Sequence, residues 1–329
     1  MTERRYDPLS GEWRMFASQR RDRTFLPVDE LCPLCPTRDP ARPTEIPFEA
    51  FEIVVFDNRF PSLTAEPPAP AVAGSNLYPV APSAGANEVV VYSDDHHLSL
   101  SGMEVARVAR LVEVWADRYR VLGARPEVGY VFVFENRGVA VGVTLHHPHG
   151  QIYAYPELPP RVAHKLAVAW RHHDRNGTCV HCDVVAAELA GGARVVVANR
   201  SFVAHVPFAA RFPYEVHVVA RRHAPSLPDL TAPERRALAE VLQGVAATYD
   251  RLFGFALPYV MSVHQRPTDG GDHGHLSHLH IELTPLHRTA TKLKYLAGSE
   301  LGAGAFINDT APELVAAELR STWKSVTFR

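Results

Sequence analysis

The chain is poor in the features that most quickly place a protein in a class. Its 329 residues include only four cysteines, all in two Cys-x-x-Cys pairs, Cys32/Cys35 and Cys179/Cys182. That is too few for the disulfide framework of a small secreted domain. No apolar run approaches the ~20 residues that span a bilayer, and the amino end, MTERRYDPLS, lacks a secretory hydrophobic stretch. The expected address is cytoplasmic, with no membrane contact. An excess of one charge is missing too. Lys plus Arg (34) against Asp plus Glu (36) leave a net charge of −2, so no bulk positive field draws a nucleic-acid polymer or an anionic membrane. Any anionic ligand must be met by local side chains.

What the chain does hold is a 46% hydrophobic fraction and 18 histidines. The length suits one large domain or two ordinary ones of roughly 100–200 residues each. Histidine in excess beside paired cysteines points to metal. The two pairs lie nearly half the chain apart, and the segments after them repeat. A strand from Glu88 leads to His96, and one from Glu215 leads to His223 at the same spacing. A helix follows each, with capping-box signatures Ser101/Glu104 and Thr231/Glu234. The apolar stripes are Val108, Leu111, Val112, Trp115, Tyr119 and Leu122, then Leu238, Val241, Leu242, Val245, Tyr249 and Leu252. A second strand (129–135 and 258–264) precedes a third, which carries His147-Pro-His149-Gly-Gln151 in one half and His278-Leu-His280-Ile-Glu282 in the other. This order predicts an α+β fold of two tandem modules, 1–165 and 166–329, with mainly antiparallel sheets and helices packed on one face. Residues 61–87, rich in Pro, Ala, Gly and Ser, read as a long surface loop. The join falls near 156–176, where Pro159 and Pro160 precede a short helical pattern.

Two thiolates two residues apart grip one tetrahedral ion, and two imidazoles complete the shell. The repeat nominates Cys32, Cys35, His96 and His147 for one zinc, and Cys179, Cys182, His223 and His278 for a second. Four protein ligands describe a closed structural site. A redox pair, a disulfide and unligated buried thiols are the other readings; the first lacks a thioredoxin-like context and the second conflicts with the cytoplasmic address. His146 and His181, beside or within these motifs, are the strongest alternative ligands among the remaining histidines.

Along a strand, residues i, i+2 and i+4 share a face ~6–7 Å apart, so His147, His149 and Gln151 project together. With His147 tied to metal, His149 keeps an unoccupied imidazole and Gln151 offers an amide donor. This suits covalent attack on phosphorus. The bland alternative is a polar strand face packed under the metal site. Arg20 and Arg23 are spaced to converge on one anion, while Asn136 and Thr144 can donate hydrogen bonds.

At this point the chain resembles the galactose-1-phosphate uridylyltransferases, a branch of the histidine-triad superfamily built from two fused triad modules. The segments RRYDPLSGEWRMFASQRRDR, CPLCP, FENRG, HHPHGQIYA and LKYLAGSE carry the likeness almost end to end. The resemblance implies ping-pong transfer. His149 would take UMP from UDP-glucose, release glucose 1-phosphate, and pass UMP to galactose 1-phosphate. Arg20, Arg23, Asn136, Thr144 and Gln151 match phosphate-contacting positions and Asn58 a nucleoside-binding one. Lys294 and Glu300 match hexose-recognising positions that serve the partner's site in a homodimer. Zinc would hold the scaffold.

The chain also departs from the pattern. Lys165 stands where well-known members place a metal-binding glutamate, and the CVHC pair gives a second site more like that of ADP-glucose phosphorylases. Phe306, Ser299 and Arg59 replace a glutamine, a tyrosine and an acidic residue that contact hexose or nucleoside. Two other readings therefore stand beside the first: an ADP-sugar phosphorylase or adenylyltransferase using His149, and a zinc-stabilised nucleotide-binding module without catalysis.

Overall fold

A computed structural model describes residues 2–22 and 26–324. The Val- and aromatic-rich runs become strands, as their β-branched character favours. In chain order these are β1 (Thr2–Asp7), β2 (Glu12–Ala17), β3 (Val54–Asp57), β4 (Val80–Pro82), β5 (Ala86–Val91), β6 (Tyr130–Arg137), β7 (His149–Tyr155), β8 (Val195–Ala198), β9 (Phe202–His205), β10 (Val216–Ala220), β11 (Tyr259–His264), β12 (His280–Pro285), β13 (His287–Thr289) and β14 (Lys292–Leu293). Nine of them form one antiparallel sheet ordered β3-β5-β7-β6-β11-β12-β10-β9-β8. Its seam is the β6–β11 pair, where Phe134 faces Ser262. The two halves therefore share a continuous sheet.

Register shows which residues correspond. Gln151 sits between Val89 and Phe134, and Glu282 sits between His217 and Ser262. Val89 thus matches His217. The second strands correspond one residue away from the sequence alignment, so the counterpart of His264 is Asn136 rather than Glu135.

One sheet face is apolar throughout, with Val90, Val133, Ile152, Val218, Ile281 and Met261 buried. Against it pack α1 (Val105–Gly123) and α4 (Ala232–Leu252), through stripes that include the fully buried Trp115 and Tyr249. The carboxy-terminal helix α5 (Pro312–Trp323) adds Val315, Ala316 and Leu319 to the same core. These three helices lie on one face as expected. The joining segment adds cover on the other: it forms α2 (Pro160–Asn176) and α3 (Val180–Gly191), and α3 lays Val185 on Val203 and Val219. The second half presents both apolar and ionisable groups on that face, and these need partners.

Thr231 and Glu234 make the predicted capping box on α4. Ser101 and Glu104 do not make one. Glu104 is itself the residue before α1, and the Ser101 hydroxyl donates to Asp250 on α4, so a tertiary contact displaces the local cap. The 61–87 stretch is also more ordered than a free loop. The Asn87 Oδ1 accepts N–H bonds from Ser62 (2.6 Å) and Leu63 (2.7 Å), β4 pairs with β1, and β5 begins at Ala86.

Candidate active site and metal centres

Each cysteine pair meets two histidines. The ligand atoms of Cys32, Cys35, His96 and His147 lie within 4.8 Å of one another, as do those of Cys179, Cys182, His223 and His278. Cys35 Sγ is 3.3 Å from His96 Nδ1 and 3.5 Å from His147 Nδ1. In the second group His278 Nδ1 is 3.6 Å from both sulfurs, and His223 Nδ1 is 3.8 Å from Cys182 Sγ. Tetrahedral zinc, with Zn–S ~2.3 Å and Zn–N ~2.0–2.1 Å, has a sulfur-to-nitrogen edge of about 3.6 Å. Both donor sets fit that cation.

The outer contacts agree. His147 Nε2 lies 2.7 Å from the Ser93 carbonyl, His278 Nε2 2.8 Å from Ala220 O, and His223 Nε2 2.9 Å from Gly274 O. A carbonyl only accepts, so Nε2 carries the hydrogen and Nδ1 turns its lone pair toward the thiols. His96 Nε2 lies 3.1 Å from the Asp29 carboxylate, at ion-pair distance, while its Nδ1 faces Cys35. Burial holds His147 and His278 at about 4, which keeps them neutral ligands. It pushes the Cys32 thiol up to about 12, so a cation is what would make it a thiolate at neutral pH.

From the first centre, β7 carries its side chains onto the uncovered sheet face. His149 Nδ1 donates to the His147 carbonyl at 2.7 Å, leaving the Nε2 lone pair free, and burial lowers the imidazole's pKa. A neutral imidazole is thus oriented by the backbone of His147, a member of the first donor set. Gln151 Oε1 accepts from Asn58 Nδ2 (3.4 Å), and Asn58 Oδ1 accepts from Phe60 N–H (2.8 Å). This bracing turns the Gln151 NH₂ group outward.

Gly150 between them is required by space. A Cβ there would lie 2.2 Å from the Tyr92 hydroxyl and 3.0 Å from Phe134 O, well inside contact distance.

His149 borders two cavities. The larger, about 500 Å³, also holds Asn136, Arg137, His146 and Asp250. The smaller holds Asn58, Thr144 and Gln151 with Glu45, Arg59 and Phe60. One imidazole can thus address ligands on two sides. Arg20 reaches the edge of this face, where its Nη1 donates to Phe60 O (3.3 Å) and the Tyr153 hydroxyl (3.2 Å). Arg23 lies outside the described residues. Lys294 and Glu300 line neither cavity. They form a 2.9 Å ion pair with each other, and Lys294 also donates to Ile307 O.

Sequence reasoning missed Tyr153, Tyr92 and Glu45. Tyr153 was within reach, since it continues the i, i+2, i+4 row of His149 and Gln151. The other two come from distant segments and left no local signal.

Known proteins of similar sequence and structure point to one family. The family model described as galactose-1-phosphate uridyl transferase, N-terminal domain, matches residues 1–159, and its C-terminal-domain counterpart matches 166–327. A Thermotoga maritima protein named galactose-1-phosphate uridylyltransferase is 40% identical over 322 residues, 98% of this chain and 99% of that one. A solved uridylyltransferase mutant superposes with a TM-score of 0.88 at 32% identity, covering 99% of this chain and 100% of the other. An Arabidopsis thaliana ADP-glucose phosphorylase with bound ADP-glucose shares the fold, with a TM-score of 0.73 at 22% identity over 97% and 99% of the two chains. With family matches on either side of the joining segment and His149 poised on the strand between the two cavities, the chain belongs to the galactose-1-phosphate uridyl transferase family.

Proposed function

We propose that the protein exchanges UMP between UDP-glucose and galactose 1-phosphate by a ping-pong route through His149. The observation that carries the residue assignment is the 2.7 Å bond from His149 Nδ1–H to the His147 carbonyl, which leaves Nε2 as the nucleophile. Nε2 attacks the α-phosphorus of UDP-glucose. The N–P bond forms, the bond from phosphorus to the bridging oxygen breaks, and glucose 1-phosphate leaves with the electron pair. The uridylylated ring is cationic because Nδ1 keeps its hydrogen, and the carbonyl of His147 stabilises that charge. A phosphate oxygen of galactose 1-phosphate then attacks phosphorus from the other side, forming UDP-galactose and returning the neutral imidazole.

Gln151, Asn136 and Thr144 supply neutral donors to the phosphate oxygens, with Arg20 and Arg23 as cations. Asn58 braces Gln151 on the nucleoside side. Lys294 and Glu300, away from His149 in their own chain, serve the hexose in the site of a second copy, which makes the working unit a homodimer. Residues 1–165 and 166–329 are the two modules. Each holds one structural zinc, and neither ion takes part in the transfer. No helix among the described residues is long and apolar enough to cross a membrane; the enzyme works in the cytoplasm.

The test is a paired incubation. UDP-glucose with galactose 1-phosphate is expected to give UDP-galactose, while ADP-glucose with inorganic phosphate is expected to give nothing. Turnover of the second pair alone would replace this reading by the phosphorylase one.

A further inference from the structure

The smaller cavity beside His149 contains a carboxylate with no assigned task. Glu45 has a side chain 26% exposed, and its closest cationic atom is Arg59 Nη1 at 4.0 Å, beyond hydrogen-bond reach. Among the described residues no protein donor bonds its oxygens. Its backbone is fixed nonetheless, with the N–H donating to Pro33 O at 3.0 Å.

The neighbouring polar groups are already committed. Asn58 uses its amide on Gln151 and on the Phe60 N–H. Arg59 is 71% exposed and lies 5.6 Å over the Phe60 ring. An ionised carboxylate offers about four acceptor sites and no donor. Leaving them unmet in a half-buried cavity walled by Pro33, Leu34 and Val89 is costly. The missing partner must bring donors, preferably two adjacent ones matching the two oxygens.

We propose that Glu45 grips the ribose 2′- and 3′-hydroxyls of the nucleotide whose phosphorus His149 attacks, with Arg59 holding the carboxylate in place. This rests on the nucleotidyl-transfer reading above. The ribose is the first group beyond the α-phosphate, and one cavity is lined by both His149 and Glu45. A vicinal diol presents two O–H donors at the spacing of a carboxylate, the pairing other nucleotide sites use for ribose. A pyrimidine ring offers only one N–H donor. Arg59, exposed over Phe60 at the rim of this cavity, serves here as the positioning residue for an acid from another segment.

The probes are UDP and 2′-deoxy-UDP, with binding measured by calorimetry on the zinc-loaded protein, and UDP-glucose against its 2′-deoxy form in turnover. The wild type is expected to prefer the ribo form by about 30-fold or more, since a site built around a hydroxyl rejects its absence strongly. Glu45→Gln should narrow that preference to within about threefold, with KM for UDP-glucose raised more than kcat is lowered. Glu45→Asp should fall between, which separates recognition from loss of the fold, and zinc content checks the latter. Equal binding of both forms by the wild type would overturn the proposal. So would an unchanged preference in Glu45→Gln, or a variant that alters only the choice between uracil and cytosine. Ribose discrimination without any uridylyl transfer would fault the function and support Glu45; transfer without discrimination would fault Glu45 alone.

Discussion

The strands β7 and β12 carry the same device and put it to different uses. His149 Nδ1 donates to His147 O at 2.7 Å, and His280 Nδ1 donates to His278 O at 2.8 Å. In both, the preceding histidine of the motif turns Nδ1 toward a cysteine pair. The surroundings differ residue by residue. On the face around His149 stand Gln151, with Val89 opposite it, and Asn136 in the larger cavity, whereas around His280 stand His264 opposite it and Glu282 paired with His217. Gln151 is a neutral donor suited to a phosphate oxygen. Glu282 is an acceptor that repels one, and it draws Lys165 (2.5 Å), Arg161 (2.6 Å) and Arg211 (3.2 Å). Those cations, with the His181 ring 4.2 Å from His280, close the second face under α2 and α3. On the proposed reading, the oriented imidazole serves as a nucleophile where the strand face stays open and the residue two places on is the neutral Gln151 rather than Glu282.

The largest effect should separate the two histidines. His149→Ala is expected to lower kcat by at least ~10⁴-fold, as loss of a nucleophile does. His280→Ala should stay within about tenfold of wild type and show its cost in the melting temperature instead. Steady-state assay and calorimetry of both variants check this; comparable losses of kcat would dissolve the contrast.

Next come the metal centres. Cys35→Ser and Cys179→Ser should each lose one zinc by elemental analysis and destabilise the fold by several kcal/mol. Only Cys35→Ser should also cut kcat, by ~10–100-fold, because His147 positions His149.

A smaller effect should follow Lys165→Met. Removing the ammonium should cost about 1–3 kcal/mol in denaturant titration, less than a fully buried pair because Arg161 and Arg211 remain on Glu282. Activity should hold within about threefold. A large loss of activity would mean that the second face takes part in catalysis.

An effect of similar size, confined to a pH window, concerns Glu135 on β6, buried and pushed up to about 7 by desolvation. Between the ordinary carboxylate value and about 7 the folded state holds a proton that the unfolded state has released. Stability should therefore fall as pH rises through that window, by up to about 3 kcal/mol at ~1.4 kcal/mol per unit. Glu135→Gln should flatten the decline in melting curves taken from pH 5 to 8.

Much of the first site was legible because its geometry is local. The spacing of His149 and Gln151 places them on one face of β7, with His147 in the bend just before the strand, and the repeated Cys-x-x-Cys pairs select the same histidines that the fold brings together. The closure of the second site was not legible. Lys165 and Arg161 reach Glu282 from more than a hundred residues away, across a helix that crosses to the opposite face. The missed cap at Ser101 has the same origin, since Asp250 comes from the other half. The requirement for Gly150 depends on Tyr92, which no strand periodicity relates to it. Lys294 and Glu300 could be matched by resemblance only, and within one chain they satisfy each other.

The most direct test of the central claim is to incubate the protein with UDP-glucose labelled in the uridylyl phosphate, quench it without acceptor, and map the labelled peptide. One equivalent of label on His149, discharged by galactose 1-phosphate and absent from the His280 peptide, is the expected result. Label on His280, or turnover with no covalent label at all, would contradict it.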